Sequence, residues 1–345
     1  MKRRFAGLLA TFLLFASCSH VAAWGGNGHQ TVGKIASLHV RPHTARKIGQ
    51  ILKPGETLAS VSTWADNVKD RMGETDPDPD THAFLQDLVH NEKNREWHYD
   101  DLPLNCVSYE RCRGFTLEND IVHLINAAVQ TLQGTPHPNY PLSRRNALRL
   151  LVHLAGDIHQ PLHMGCGFID EDGPKRTILI EKDPNIIRRK NLKHDRGGNQ
   201  LIIDRDRRNL HSFWDFDLVK LLMTATNNPT SERLGVFLKG TVRPQSSWNT
   251  QGPVNTWAMQ WANDSLRQSR QHAYGSVRIT RKRILNVERD GQPVMRDGRP
   301  ETEVVYDISR PANYDRTNRE VVRLQLAKAG FRLAKILDAI YANQR

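Results

Sequence analysis

Apolar residues recur at intervals of three and four along most of the chain. That period belongs to amphipathic helices. It predicts helices over 28–40, 61–72, 117–132, 143–159, 209–223, 254–272 and 315–342. Gly134 follows the third, and Ser143 and Pro161 bracket the fourth as N-cap and stop signal. Two stretches depart from the pattern. Residues 164–196 are rich in Gly, Asp, Lys and Arg and read as a long loop. Residues 275–312 hold the β-like runs Val277-Arg278-Ile279-Thr280 and Glu303-Val304-Val305-Tyr306 around Asp290-Gly291 and Asp297-Gly298. They read as a surface hairpin inserted in a mainly α chain. No period of 20–50 residues repeats, which argues against a solenoid.

The first residues follow a different logic. Lys2-Arg3-Arg4 is a basic start, residues 5–16 are apolar but too short to span a bilayer, and Val21-Ala22-Ala23 supplies small residues before a cut. Residues 1–23 therefore read as a signal peptide removed after Ala23, with a mature start at Trp24 and a secreted or periplasmic product. A lipoprotein cut before Cys18 is the rival, and Phe15 fits its pattern poorly. No later segment is apolar enough for a membrane helix, so no stable membrane insertion is expected. Export permits disulfides. Cys106 and Cys112 lie in one polar loop and can close a short ring, leaving Cys166 free or paired between chains.

Composition adds a constraint on partners. The 345 residues are 38% apolar and 25% charged, values of a soluble globular protein rather than a disordered or membrane chain. Lys and Arg number 49 against 37 Asp and Glu, a net +12. Residues 1–23 hold three of the basic residues and no acid, so the mature chain keeps +9. That balance favours an acidic partner, although a solvated basic surface explains it equally well.

The chemistry is carried by His and Asp. His153 and Asp157 are four apart, on one face of a helix, with His163 just beyond. His211 and Asp215 repeat the spacing, and Asp66, His98 and His29 lie in other segments. Imidazole with carboxylate is a ligand set that suits zinc. One such pair is more often a surface hydrogen bond; two, with a third His beside a Pro, point to a multinuclear site. The remaining His residues of the mature chain (39, 43, 82, 90, 123, 137, 159, 194 and 272) are read as ordinary.

The motifs in order are Trp24-Gly25 with Gly28-His29, Trp64-Ala65-Asp66, Trp97-His98-Tyr99, the run from His153 to His163, Gly197-Gly198-Asn199, and the run from Asn209 to Asp215. The chain resembles the S1/P1 nucleases, zinc-dependent enzymes that cut single-stranded nucleic acid, from Trp24 to about Met223 and more loosely to Ala342. The resemblance implies one mainly α domain over 24–345, of a type shared with zinc phospholipase C. It implies three zinc ions. One is held by Asp66, His98, His153 and Asp157; one by the amine and carbonyl of Trp24 with His29 and a bridging Asp157; one by His163, His211 and Asp215. Only cleavage after Ala23 frees that amine. Metal-activated water would attack phosphorus in line, and stabilisation of the leaving 3′-oxygen would give 5′-phosphate products. The implied substrates are single-stranded DNA, RNA and nucleotides, with 3′-nucleotidase activity a further expectation and a monomer the expected state. Asp101 matches a carboxylate that orients the attacking group, with Asp100 as competitor. Tyr99 matches an aromatic that stacks on an unpaired base, against a plain core role. Asn199 is placed to bond a base edge, against a plain turn.

Two departures and two rivals accompany this reading. The 33-residue connection 164–196 replaces a short family loop and starts beside His163, where a lid or groove wall would sit. Arg278, Arg281, Lys282 and Arg283 would grip a phosphate backbone, or simply solvate the hairpin. The rivals are a zinc-dependent phospholipase C and an exported zinc- or nucleic-acid-binding protein without turnover. All nine expected ligand positions are filled, which disfavours the second.

Overall fold

The computed structural model describes residues 24–174, 177–203, 208–289 and 291–342. The predicted signal peptide lies outside the described residues. Helices form most of the molecule, and the main core cluster runs from Trp24 to Tyr341, with a small separate one of Cys166, Phe168 and Ile187. The N-terminal helix Gly25–Ser37 packs along the C-terminal helix Tyr314–Tyr341, and touches Leu58–Val61 and Ser231–Thr241 on other sides. Between them runs Arg144–Asp157. Ser143 caps it by accepting from the Asn146 N–H, and every residue from Arg145 to Asp157 is buried. It therefore carries His153 and Asp157 through the interior, where water does not compete for them.

Two predicted helices are interrupted, and both breaks serve side chains that meet at the centre. The stretch 61–72 is two short helices, Leu58–Val61 and Trp64–Val68, and the Ser62 carbonyl freed between them accepts from His153 Nδ1 at 2.6 Å. The stretch 209–223 starts as Leu210–Ser212, widens into a π-turn over Phe213–Asp217, and resumes as Leu218–Ala225. Such bulges recur at functional sites. Helices Pro42–Ile51, Pro79–Gln86 and Ser231–Thr241 escape the periodicity reading.

The expected loop 164–196 is structured. Phe168–Asp170 pairs antiparallel with both Leu179–Glu181 and Lys193–His194, and Asp183 caps a helix over Pro184–Lys190. Gly165–Cys166 runs parallel to Leu102–Pro103. Strands of two or three residues are too short for alternation to register, which is why the stretch reads as loop.

Within 275–312, Arg278–Asn286 and Thr302–Ser309 form an antiparallel pair with an irregularity between Asp307 and Ile308. The second strand also runs parallel to Leu201–Ile202, so the pair completes a three-stranded sheet. Two of its cations are paired, Lys282 with Glu171 at 2.6 Å and Arg283 with Asp307 at 2.5 Å. Cys106 and Cys112 form a disulfide with Cα atoms 5.7 Å apart. Cys166 is a free thiol and fully buried, so it is not available to bond another chain. Among the described residues no helix is long and apolar enough to cross a membrane.

Candidate metal centre

Six segments converge behind the central helix. His153 Nε2 lies 3.0 Å from Asp157 Oδ2, as the four-residue spacing requires. His98 Nδ1 reaches the same oxygen at 2.9 Å, and Asp66 Oδ1 stands 3.8 Å from His153 Nε2 and 3.9 Å from His98 Nδ1. His29 Nε2 approaches the other oxygen of Asp157 at 3.2 Å, and its ring stacks on His153 at 4.0 Å between centroids. Asp157 thus divides its two oxygens between His29 and the His98–His153 pair. A Cβ on Gly156 would stand 2.7 Å from His29 Nδ1, so this close approach needs glycine.

A second group adjoins the first. His163 Nε2 and His211 Nε2 face each other at 3.2 Å, and His211 Nε2 is 3.2 Å from Asp215 Oδ2. Asp215 Oδ1 accepts from Gln160 at 2.7 Å and from the Trp24 backbone nitrogen at 3.2 Å. Trp24 is fully buried, in left-handed backbone conformation, with its indole N–H on the Gly156 carbonyl at 2.8 Å. Its backbone nitrogen therefore meets the second group, while its indole reaches the helix that carries the first.

The donor chemistry fits a cation. His163 Nδ1 donates to the His98 carbonyl at 2.7 Å, and His211 Nδ1 donates to the Gly197 carbonyl at 2.8 Å. A neutral imidazole has one N–H. With that N–H spent on a carbonyl, each Nε2 presents a lone pair, and two lone pairs 3.2 Å apart repel unless a positive charge lies between them. Anchoring of the far ring nitrogen by a carbonyl is the usual outer support of a metal-ligating His. Both ring nitrogens of His29, Asp66 Oδ2, Asp157 Oδ1 and Asp215 Oδ2 are buried without hydrogen-bond partners. Buried polar atoms of that kind are costly when nothing meets them. The combinations His98–His153–Asp157, His29–Asp66–His153 and His163–His211–Asp215 each place three donor atoms within 4.8 Å of one another.

The local electrostatics follow from burial and crowding. Burial pushes His163 down to about 3, against the pull of the Asp157 carboxylate, so the ring is neutral at any working pH. Burial also lowers His29 and His98. Burial opposes the charged form of His153, but the Asp157 and Asp66 carboxylates prevail and raise it to about 8. Burial likewise works against the Asp157 charge, yet His153 and the surrounding imidazole contacts hold that carboxyl well below the usual range. Burial raises Asp215 to about 6.

The His98, His163 and His211 rings open on a cleft of about 400 Å³ that is also lined by Tyr99, Asp101, His194, Arg196 and Asn199. Asp101 faces this cleft. Asp100 does not: it is buried, both its oxygens lack partners, and burial beside Asp120 pushes its carboxyl well up. Tyr99 is half-buried at the cleft wall. Asn199 reaches the same wall while its amide nitrogen bonds the Arg196 carbonyl at 2.7 Å. A larger hollow of about 740 Å³ beside Phe216 and Met223 shares only Asp215 with the cluster. Sequence reasoning set His194 among the ordinary histidines, and only its place next to the Gly197-Gly198-Asn199 motif hinted otherwise. His159 is ordinary as read, bonded to the Ala155 carbonyl at 2.8 Å and to Arg332 at 3.1 Å.

Known proteins give the same direction. Nuclease S1 of Aspergillus oryzae is 26% identical over 92% of this chain and 91% of its own length. Nuclease P1 of Penicillium citrinum is 25% identical, covering 93% and 99%, and Endonuclease 4 of Arabidopsis thaliana is 24% identical, covering 93% and 90%. The S1/P1 nuclease family model matches residues 24–342. A match over that span, with His and Asp donors gathered at its centre, means that the chain belongs to the S1/P1 nuclease family and is a hydrolase of phosphodiester bonds.

Proposed function

We propose that the protein is an exported zinc-dependent endonuclease that cuts single-stranded DNA and RNA to 5′-phosphate products. The observation that carries the reading is the facing pair His163 Nε2 and His211 Nε2, 3.2 Å apart beside Asp215, each ring holding its N–H at Nδ1 on a carbonyl and so turning a lone pair inward. Zinc suits this donor set because it accepts imidazole and carboxylate without geometric preference. Three ions would be shared as follows: Asp66, His98, His153 and Asp157 hold one; His29, Asp157 and the main chain of Trp24 hold another; His163, His211 and Asp215 hold the third. When bound, zinc supplies a nucleophile at neutral pH and a counter-charge for the phosphoryl oxygens.

The chain's own residues do the rest. Asp101, on the cleft wall, orients the attacking group toward phosphorus. Tyr99 offers a face to an unpaired base, which selects single strands without reading sequence. Asn199 keeps its amide oxygen for a base edge, since its nitrogen is engaged within its own turn. Arg196 adds positive charge at the mouth. The amine of Trp24 becomes available only after cleavage behind Ala23, so export, processing and metal assembly are one sequence of events. Nucleic acid rather than phospholipid is the substrate class given by the names of the relatives above.

The test offers the mature protein, chelated and then reloaded with zinc, to single-stranded DNA, RNA, a 3′-mononucleotide and phosphatidylcholine. Zinc-restored nucleotide release with 5′-phosphate ends is expected. Turnover of phosphatidylcholine without nucleotide release overturns the reading.

A further inference from the structure

The structured segment 164–196 delivers one side chain into the cleft whose partner is the proposed orienting carboxylate. His194 Nδ1 stands 3.0 Å from Asp101 Oδ2, and both residues line the cleft. The contact is built rather than incidental. The strand Lys193–His194 is registered against Phe168–Ile169, so the backbone of His194 is fixed by the small sheet. The Phe168 ring lies 6.1 Å from the His194 ring. The next residue is clamped harder: Asp195 N donates to the Gly167 carbonyl at 2.8 Å, and Asp195 Oδ1 accepts from Gly198 N at 2.9 Å and Tyr274 Oη at 2.9 Å. The buried Cys166 thiol stands near this pair, its Sγ within 4.8 Å of donor atoms of both Asp101 and His194. A donor whose backbone is held by the small sheet therefore grips a side chain that would otherwise rotate freely at a cleft wall.

We propose that His194 is a positioning residue for the reaction: by donating Nδ1–H to Asp101, it fixes the direction in which that carboxylate meets the attacking group. The inference rests on the role given to Asp101 above. His194 contacts none of the nine residues given to zinc above nor, by this account, the scissile phosphate, so its effect belongs in kcat. Outer-shell partners of this kind are worth roughly 10–100-fold.

The test is steady-state cleavage of single-stranded DNA by the zinc-loaded enzyme and its variants, with zinc per chain measured in each. His194→Ala and His194→Phe should lose roughly 10–100-fold in kcat with KM and zinc content little changed. Phe keeps the ring packing and removes the donor. His194→Asn places an amide N–H near the former Nδ1 and should recover most of the loss. Asp101→Asn and the double variant Asp101→Asn/His194→Ala should be equally slow, because the two residues act as one unit. Wild-type kcat in His194→Ala, beside a crippled Asp101→Asn, overturns the positioning role and leaves Asp101 in place. So does recovery by Phe but not by Asn, which would make the ring a packing element. Wild-type kcat in Asp101→Asn overturns the role of Asp101 itself, and the inference with it.

Discussion

His153 shows how much one side chain is asked to do. Its Nδ1 is tied to the Ser62 carbonyl, its Nε2 meets Asp157, and its ring supports the stacked His29. Removing it takes a donor from the His/Asp cluster and leaves Asp157 buried opposite two other imidazoles. His153→Ala is expected to lose zinc and roughly 10³-fold or more in kcat/KM, since bound metal supplies several kcal/mol and each 1.36 kcal/mol is tenfold. Metal analysis alongside single-strand cleavage checks this. Gly156 makes a subtler probe. A methyl there collides with His29 Nδ1 while helix propensity improves. Gly156→Ala should therefore keep its helical content by circular dichroism yet bind less zinc and turn over more slowly. Full activity with full zinc would remove His29 from the metal site.

At the scale of elements, the four-residue His/Asp pairs and the long helices were open to reading from sequence. Arg144–Asp157 carries clear end signals in Ser143 and Pro161, and Tyr314–Tyr341 is long and uninterrupted. The breaks were not open to reading. The break at Ser62 leaves a carbonyl that His153 claims from 91 residues away, and the π-turn over Phe213–Asp217 carries Asp215 to Gln160 and Trp24; local pattern cannot register such partners. The insert 164–196 was misread for the opposite reason, since its strands are too short to show a period. With it, His194 reads as an ordinary histidine, because its partner Asp101 is adjacent only in the folded chain.

The helices themselves are locked by a buried charge cluster. Asp264, on Trp257–Gln268, meets Lys328 at 2.8 Å and Arg332 at 3.0 Å on the C-terminal helix. Burial works against the Asp264 charge, but these two cations hold its carboxyl down to about 2. A depressed folded value means the stabilisation is present above the unfolded value near ~3.9 and is lost as pH falls through about 2. Asp264→Ala strands two buried cations and should cost about 3–5 kcal/mol at neutral pH. Urea denaturation should show the gap between wild type and variant constant from pH 5 to 8 and narrowing from ~4 to ~2. A gap that widens in acid would contradict the assignment.

For the whole molecule, net charge and donor set say different things. The charge of +12 in the full chain names only an acidic partner; the cluster of His and Asp gives the partner a phosphorus atom to present. Long single strands should therefore depend on salt more steeply than a 3′-mononucleotide, because only the former release many counterions on binding. KM measured from ~50 to ~200 mM salt on both substrates checks this; equal slopes would place no extended strand on the surface. Processing is the other property of the entire chain. The buried Trp24 nitrogen lies 3.2 Å from Asp215. N-terminal sequencing of the exported protein should begin at Trp24, and one extra residue ahead of it should lower zinc content.

The central claim is that the His/Asp cluster makes this chain a zinc-dependent nuclease of single strands. Cleavage of a labelled single-stranded oligonucleotide, followed through chelation and stepwise return of zinc, tests it most directly. The account predicts that activity disappears on chelation and returns in proportion to zinc bound, with 5′-phosphate ends on the products. Undiminished cleavage by the fully chelated protein would contradict it.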